Sequence, residues 1–267
     1  MYRKNILIAS IILTFIMPFK IACAEENKII KKALVLRIEG ARGKIIYHQI
    51  MGYEAKTFLI SFVDKRKSLS TLEGFKEISF VVNHSIPREL YNFVHSHTEE
   101  YERKICEDLE IKRNETALLL TGADIDRSSI KMEKFGNFEV FVCVTAGVTN
   151  AQRIGVDKAG YIERDKGEFK GLGTINTIVL TNASLTQAAM ARSIITITEA
   201  KTIALQDLDI RSSYNPDIRA TGTGTDEIII VSGFGPRISA VGGHTKAGEL
   251  MARVVTSAVR EAILKTK

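Results

Sequence analysis

Apolar residues recur along the chain with two periods. Short β-rich runs bounded by Gly, Asn or charge mark Ala33–Ile38, Lys56–Val63, Glu77–Val82, Thr116–Thr121, Phe138–Thr145, Thr174–Thr181 and Glu227–Val231 as strands. Spacing by three and four residues marks three helices. Glu89–Leu109 carries Leu90, Phe93, Val94, Tyr101, Ile105 and Leu109 at helical positions. Thr186–Leu208 carries Met190, Ile194, Ile197, Ala204 and Leu208 on one side. Thr245–Leu264 repeats apolar pairs at 250/251, 254/255, 258/259 and 262/263. Ser184 followed three residues later by Gln187 reads as a capping box opening the second helix. Strands alternate with helices, yet several strands are close neighbours in sequence. The pattern predicts an α/β fold of the mixed-sheet kind with α+β-like layers, a single compact domain with helices packed on a mixed β-sheet.

The first 24 residues stand outside this pattern. Arg3 and Lys4 precede the mostly apolar run Ile6–Phe19, and Ala22-Cys23-Ala24 is a small-residue cleavage site. The run is shorter than the roughly 20 residues a membrane-spanning helix needs. Residues 1–24 are therefore expected to be a cleaved signal peptide, with lipid attachment at Cys23, disfavoured by Lys20 three places before it, and an uncleaved anchor as the rival readings. The remaining domain then spans 25–267, is exported to the periplasm or another extracytoplasmic space, and has no stable membrane span. Removing Arg3, Lys4 and Lys20 lowers the net charge from +6 to +3. No basic stripe interleaved with aromatics occurs, which argues against nucleic acid as a partner. A hydrophobic content of 45% is enough for a sizeable core. Cys106 and Cys143 lie among apolar neighbours and read as buried thiols, with one disulfide as the alternative in an oxidising compartment. Neither CxxC nor HExxH occurs, so no metal and no cofactor is expected.

Candidate chemistry gathers where apolar strands run into small polar residues. Glu77–Val82 leads into Asn83 and His84, Phe138–Val144 into Thr145–Asn150, and Gly173-Thr-Ile-Asn176 opens another strand. Asn and Thr each offer donors and acceptors, suiting a neutral, amide-rich ligand, although the same residues also serve ordinary turns. Thr221-Gly-Thr-Gly-Thr225-Asp226 gives a flexible backbone before a strand, with no Lys-Ser/Thr and no helix following to make a phosphate loop. Asn83, Thr145, Asn150, Asn176, Thr223, Thr225, Asp226 and Thr245 are the candidate binding residues. Gly242-Gly-His-Thr245 opens the last helix, where N–H groups stabilise an oxyanion or Thr245 simply caps. His84 and His244 are the candidate proton-transfer groups, with Glu199, mid-helix, as the alternative base or an ordinary solvated residue. His97 reads as a packed core histidine, and His48 as isolated. Without a GxSxG elbow, water attack assisted by a His or carboxylate is favoured, and a Thr nucleophile stays open.

The ordered set of short motifs also resembles one family. Ser70-Thr-Leu-Glu-Gly74, Val82-Asn-His84 with Pro87, Leu120-Thr-Gly-Ala-Asp124, Thr145-Ala-Gly-Val-Thr-Asn-Ala151, Gly173–Asn176, Thr198-Glu-Ala-Lys201, Ala220–Asp226 and Gly243–Leu250 match the adenosylcobinamide amidohydrolases of corrinoid salvage. The resemblance covers about Leu69 to Leu264. It implies hydrolysis of the aminopropanol amide of cobinamide to leave cobyric acid, with the corrinoid as substrate and a corrinoid transport system as a partner. The leader departs from a salvage enzyme expected inside the cell, and it keeps open the alternative of a non-catalytic exported corrinoid-binding protein.

Overall fold

The computed structural model describes residues 30–159 and 173–267. The signal-peptide reading of residues 1–24 falls outside them. The strands are β1 Ile30–Leu34, β2 Ala41–Ile50, β3 Tyr53–Ser70, β4 Gly74–Ser85, β5 Thr116–Thr121, β6 Ser129–Phe135, β7 Phe138–Ala146, β8 Ala151–Gln152, β9 Ile175–Thr181, β10 Ala183–Leu185, β11 Gly222–Thr223, β12 Glu227–Val231 and β13 Gly235–Ile238. The helices are α1 Tyr91–Ser96, α2 Thr98–Asp108, α3 Gln187–Asp207 and α4 Lys246–Thr266. Among the described residues no helix is long and apolar enough to cross a membrane.

Nine strands make one curled mixed sheet in the order β1-β2-β3-β12-β9-β7-β6, with β4 and β5 joined to the other side of β3. The long strand β3 belongs to both halves. Its first part pairs with β2 and β4, and its last residues pair with β12 and β4. An irregularity between Ser61 and Arg66 accompanies the change of partner. The curl brings the two halves face to face around a shared apolar interior that includes Phe58, Ile60, Val81, Leu119, Phe141, Cys143, Ile178 and Ile229.

Helices cover both outer faces, giving four layers. α3 and α4 bury Met190, Ile197, Leu250, Val254 and Val255 against Val142, Val179 and Ile230 of β7, β9 and β12. α1 and α2 bury Val94, Tyr101 and Ile105 against Ile46, Leu59, Val82 and Leu118 of β2 to β5. α3 and α4 lie side by side in the same direction, with Thr196 Oγ1 donating to Val241 O, Thr256 Oγ1 to Ala200 O and Arg260 Nη1 to Asp207 Oδ2. The expected mixed α/β single domain is the observed one.

Several sequence expectations need correction. The predicted helix 89–109 breaks at His97, whose φ of −136° and ψ of 42° leave the helical region. His97 is exposed, not a core residue; its ring stacks on Phe93 at 4.8 Å. α3 is capped by Thr186, whose side chain accepts from Ala189 N, while Ser184 belongs to β10. The strand expected at Ala33–Ile38 ends at Leu34. Cys106 and Cys143 are buried free thiols in different layers, with burial pushing both thiol pKa values up.

The start of α4 packs tightly on the loop before it. A Cβ at Gly248 would overlap the carbonyls of Val241 and Gly242, lying 2.6 Å from the Gly242 carbonyl carbon. Gly248→Ala is expected to lower stability by roughly 1–3 kcal/mol, read as a lower urea midpoint with an unchanged slope.

Candidate functional site

At one end of the inter-sheet interior the apolar packing gives way to polar side chains. The strand register sets Thr145 of β7 beside Asn176 of β9, and Asn176 beside Glu227 of β12. Each lies in step with an inward apolar residue of its own strand: Cys143, Ile178 and Ile229. The strand period of two therefore turns all three side chains inward. Asn83 of β4 meets this row from the facing half. Its Nδ2 donates to Thr145 Oγ1 at 2.9 Å, and its Oδ1 accepts from Asn176 Nδ2 at 2.8 Å. Asn176 Nδ2 also donates to Leu120 O of β5 at 2.9 Å. Asn83, Thr145 and Asn176 are buried, so two amides and a hydroxyl close the sandwich here by bonding one another.

A second group of residues braces this row from the α3 side. Asp226 accepts from Ile175 N at 3.0 Å, from Thr223 N at 2.9 Å and from Thr223 Oγ1 at 2.5 Å, and it pairs with Lys201 of α3. The Lys201 and Asp226 side chains are only 12% and 11% exposed. Gly222 lies so close to this pair that a Cβ there would sit 2.6 Å from Lys201 Nζ. Thr174 donates to Thr225 O and, at 3.3 Å, to Asn176 Oδ1, while Thr225 Oγ1 donates to Gly173 O at 3.2 Å. Asn150 reaches the same loops. Its buried Oδ1 accepts no hydrogen bond among the described residues, and a Cβ at Gly173 would overlap it.

Glu227 differs from Asp226 in setting. Its side chain is half-buried, and Oε2 accepts from the hydroxyl of exposed Thr71 at the β3–β4 turn. Thr71 Oγ1 in turn accepts from Ile228 N at 2.9 Å. Burial raises the Glu227 carboxyl above its ordinary pKa. The Thr71 hydrogen bond pulls it back, and the neighbouring Asp226 charge raises it again.

His84 follows Asn83 on β4 and so faces the other way, toward α2. Its Nδ1 meets Thr57 Oγ1 at 2.7 Å and its Nε2 meets Tyr101 OH at 2.9 Å, while Thr57 Oγ1 also meets His48 Nε2 at 2.9 Å. Burial lowers the His84 pKa to about 3, and His48 adds to the effect, so His84 is neutral at neutral pH.

An open cleft of about 530 Å³ lies beyond the ends of β4 and β5. Ser85 and Pro87, Gly122 and Asp124, and Tyr53 and Tyr91 are among its walls. Lys56 spans it to Asp124 Oδ1 at 2.8 Å and Asp126 Oδ2 at 2.7 Å, and Tyr47 OH donates to Asp126 Oδ1 at 2.6 Å. The same strands lead from polar row to cleft, from Asn83 to Ser85 and from Leu120 to Gly122. Among the described residues no group of three His, Cys, Asp or Glu side chains is arranged to hold a metal ion.

The pattern of the adenosylcobinamide amidohydrolases matches residues 41–267. The chain belongs to this family. An uncharacterized protein of Methanocaldococcus jannaschii is 48% identical over 223 residues, which cover 79% of this chain and 87% of the relative. Two solved structures align over 90% of the chain at low identity. One is a Pyrococcus horikoshii protein (11% identical, 82% of its chain covered, TM-score 0.42), the other a Burkholderia β-aminopeptidase (10%, 88%, 0.45).

The amidohydrolase motifs read from the sequence do not all meet. Hydrogen bonds bring together Asn83, Thr145, Asn176, Thr223, Thr225 and Asp226, with Asn150 packed close by. Glu199, His244 and Thr245 lie apart from them. Glu199 is exposed on α3, two residues before Lys201 and so about 200° around the helix from it. His244 is exposed beside Gly242, close to Arg192, nine residues and roughly 13 Å along α3 from Lys201. Thr245 caps α4 by accepting from Gly248 N at 3.0 Å. Sequence reading missed Glu227, Thr71, Lys201 and the His48–Thr57–Tyr101 surroundings of His84. Glu227 opens the expected strand Glu227–Val231, and strand alternation from Ile229 would have turned it inward.

Proposed function

We propose that the protein hydrolyses the amide joining the aminopropanol arm to the corrin rim of cobinamide, releasing the amine and leaving cobyric acid. Membership of an amidohydrolase family supports the reaction class. The observation that supports the location is the meeting of Asn83, Thr145 and Asn176, with Glu227 beside Asn176 in register and with Asn83 two residues before the cleft-lining Ser85 on β4. The corrin itself exceeds this cleft, so the arm enters and the ring stays at the rim. Tyr53, Tyr91 and Pro87 offer it an apolar wall, and Ser85 and the backbone of Gly122 offer partners for rim amides. Neutral donors and acceptors suit such a ligand, because they bind amides without leaving a buried charge unpaired. The leader is part of the same proposal: it directs the enzyme outside the inner membrane, where it meets corrinoid taken from the surroundings. Mass measurement of the secreted product after expression of the full chain tests this, and retention of residues 1–24 sinks the export reading.

Incubation with cobinamide, with and without the adenosyl ligand, is expected to yield cobyric acid and free aminopropanol by mass spectrometry. An absorbance change showing corrinoid binding without product from either form would overturn hydrolysis and leave a corrinoid-binding protein. Product from only one form identifies the axial ligand the site accepts.

A further inference from the structure

We propose that Glu227, held by the Thr71 hydroxyl at the edge of the inward row, takes the proton from the attacking water and passes it to the departing amine. The inference rests on the amide hydrolysis proposed above and names the residue that would carry it.

Three observations favour this side chain. First, its position: it faces the inter-sheet space beside Asn176, about 4.8 Å away across neighbouring strands, at the same end as Thr145 and Asn83. Second, its free capacity. Both oxygens of Asp226 are engaged by Lys201, Thr223 and Ile175 N, whereas among the described residues Glu227 is held through Oε2 alone. Third, its basicity: burial and the Asp226 charge hold the carboxyl above the ordinary value, nearer what a base working close to neutrality needs. On one side of Glu227, β9 presents Asn176 in register, which does not titrate; on the other, β3 has already ended, its last residue Ser70 pairing with Ile229, and the turn presents Thr71. Asp226, itself paired with Lys201, is the neighbouring charge that raises the Glu227 carboxyl. His84 lies on the far face of β4 with both ring nitrogens occupied.

The step balances. Water oxygen bonds to the amide carbon while one water proton moves to the Glu227 carboxylate, leaving a tetrahedral oxyanion. As the C–N bond breaks, that proton passes to nitrogen, and the carboxylate is regenerated. The remaining acid proton ends on the free amine, so the products are a carboxylate and an ammonium ion.

Glu227→Gln is expected to lower kcat on cobinamide by at least about 10²-fold while KM and corrinoid binding stay close to wild type. The acid limb of the wild-type kcat profile should lie above the ordinary carboxylate value of about 4.3. Thr71→Ala removes the hydrogen bond that holds the carboxyl down, so it should move that limb to higher pH, and Thr71→Ser should restore it. An active wild type with an equally active Glu227→Gln variant overturns the assignment and leaves the hydrolase reading intact. No product from wild type overturns the hydrolase reading and, with it, this role. If Glu227→Gln folds poorly, an acid limb unmoved in Thr71→Ala is enough to reject the proposal.

Discussion

Replacing Lys201 with methionine is expected to destabilise the protein by about 3–5 kcal/mol. Removing one partner of a buried ion pair leaves the other charge without compensation, and the loss is typically of that size. Asp226 would keep its bonds from Ile175 N and Thr223, but would lose its cation in a setting almost closed to water. Relaxation toward solvent is restricted, because Thr202 Oγ1 bonds Thr221 O and Gly222 is wedged against the pair. Urea unfolding of wild type and Lys201→Met at neutral pH measures the difference. A loss below about 1 kcal/mol would show that Asp226 is adequately solvated by the backbone donors alone. Asp226→Asn should fail similarly, since it strands the Lys201 ammonium and replaces an acceptor of four bonds with one oxygen.

The second large effect is acid sensitivity above the usual carboxylate range. His84 has a folded pKa of about 3 and an unfolded one near 6.5, so between these values the unfolded chain binds the proton and the folded chain does not. Stability is therefore complete above pH 6.5 and falls as pH drops, by about 1.4 kcal/mol per unit from this one group. His48, also lowered chiefly by burial, acts in the same direction. Glu227 acts oppositely, because a raised carboxyl pKa favours the folded state on protonation. From pH 6.5 to 5 the net loss should be about 2 kcal/mol, read from urea midpoints. His84→Gln should be less stable at pH 7 yet show a flatter dependence. An unchanged slope in that variant would place the titrating group elsewhere.

Much of the layer structure is legible in the sequence. Thr116–Thr121 and Glu227–Val231 are strands at the expected residues, and α3 and α4 begin and end within two residues of the expected limits. β2 and β6 escape notice because Arg42, Lys44, His48, Lys131 and Glu133 break up their apolar pattern. The tertiary partners explain those residues: His48 is buried against Thr57, and Lys131 pairs with Glu261 of α4. The break at His97 is not signalled by Gly or Pro, and helical spacing runs straight across it.

The candidate site was legible as a set of residues and poorly legible as roles. Asn83 and His84 are neighbours in sequence, but the pleat sends one into the sandwich and the other into the helix layer. Gly243–Leu250 looks like a helix-terminal anion site, whereas its glycine and threonine serve close packing and capping of α4. Conversely Glu227 looks like one more charged residue at the start of a strand. Only the register against Asn176 shows that it shares a row with the buried amides.

The polar row also bears on how the chain reaches its native state. Asn83 binds Asn176 across 93 residues and Thr145 across 62, and Thr71 reaches Glu227 across 156. Contacts so distant in sequence are favoured only after the intervening chain is already ordered, which places their formation late and makes overall folding slow, on the scale of milliseconds to seconds or longer. A partly folded intermediate can thus hold its helices and local hairpins while lacking any assembled site. Ligand affinity, more than helix content, would report the moment the chain is finished.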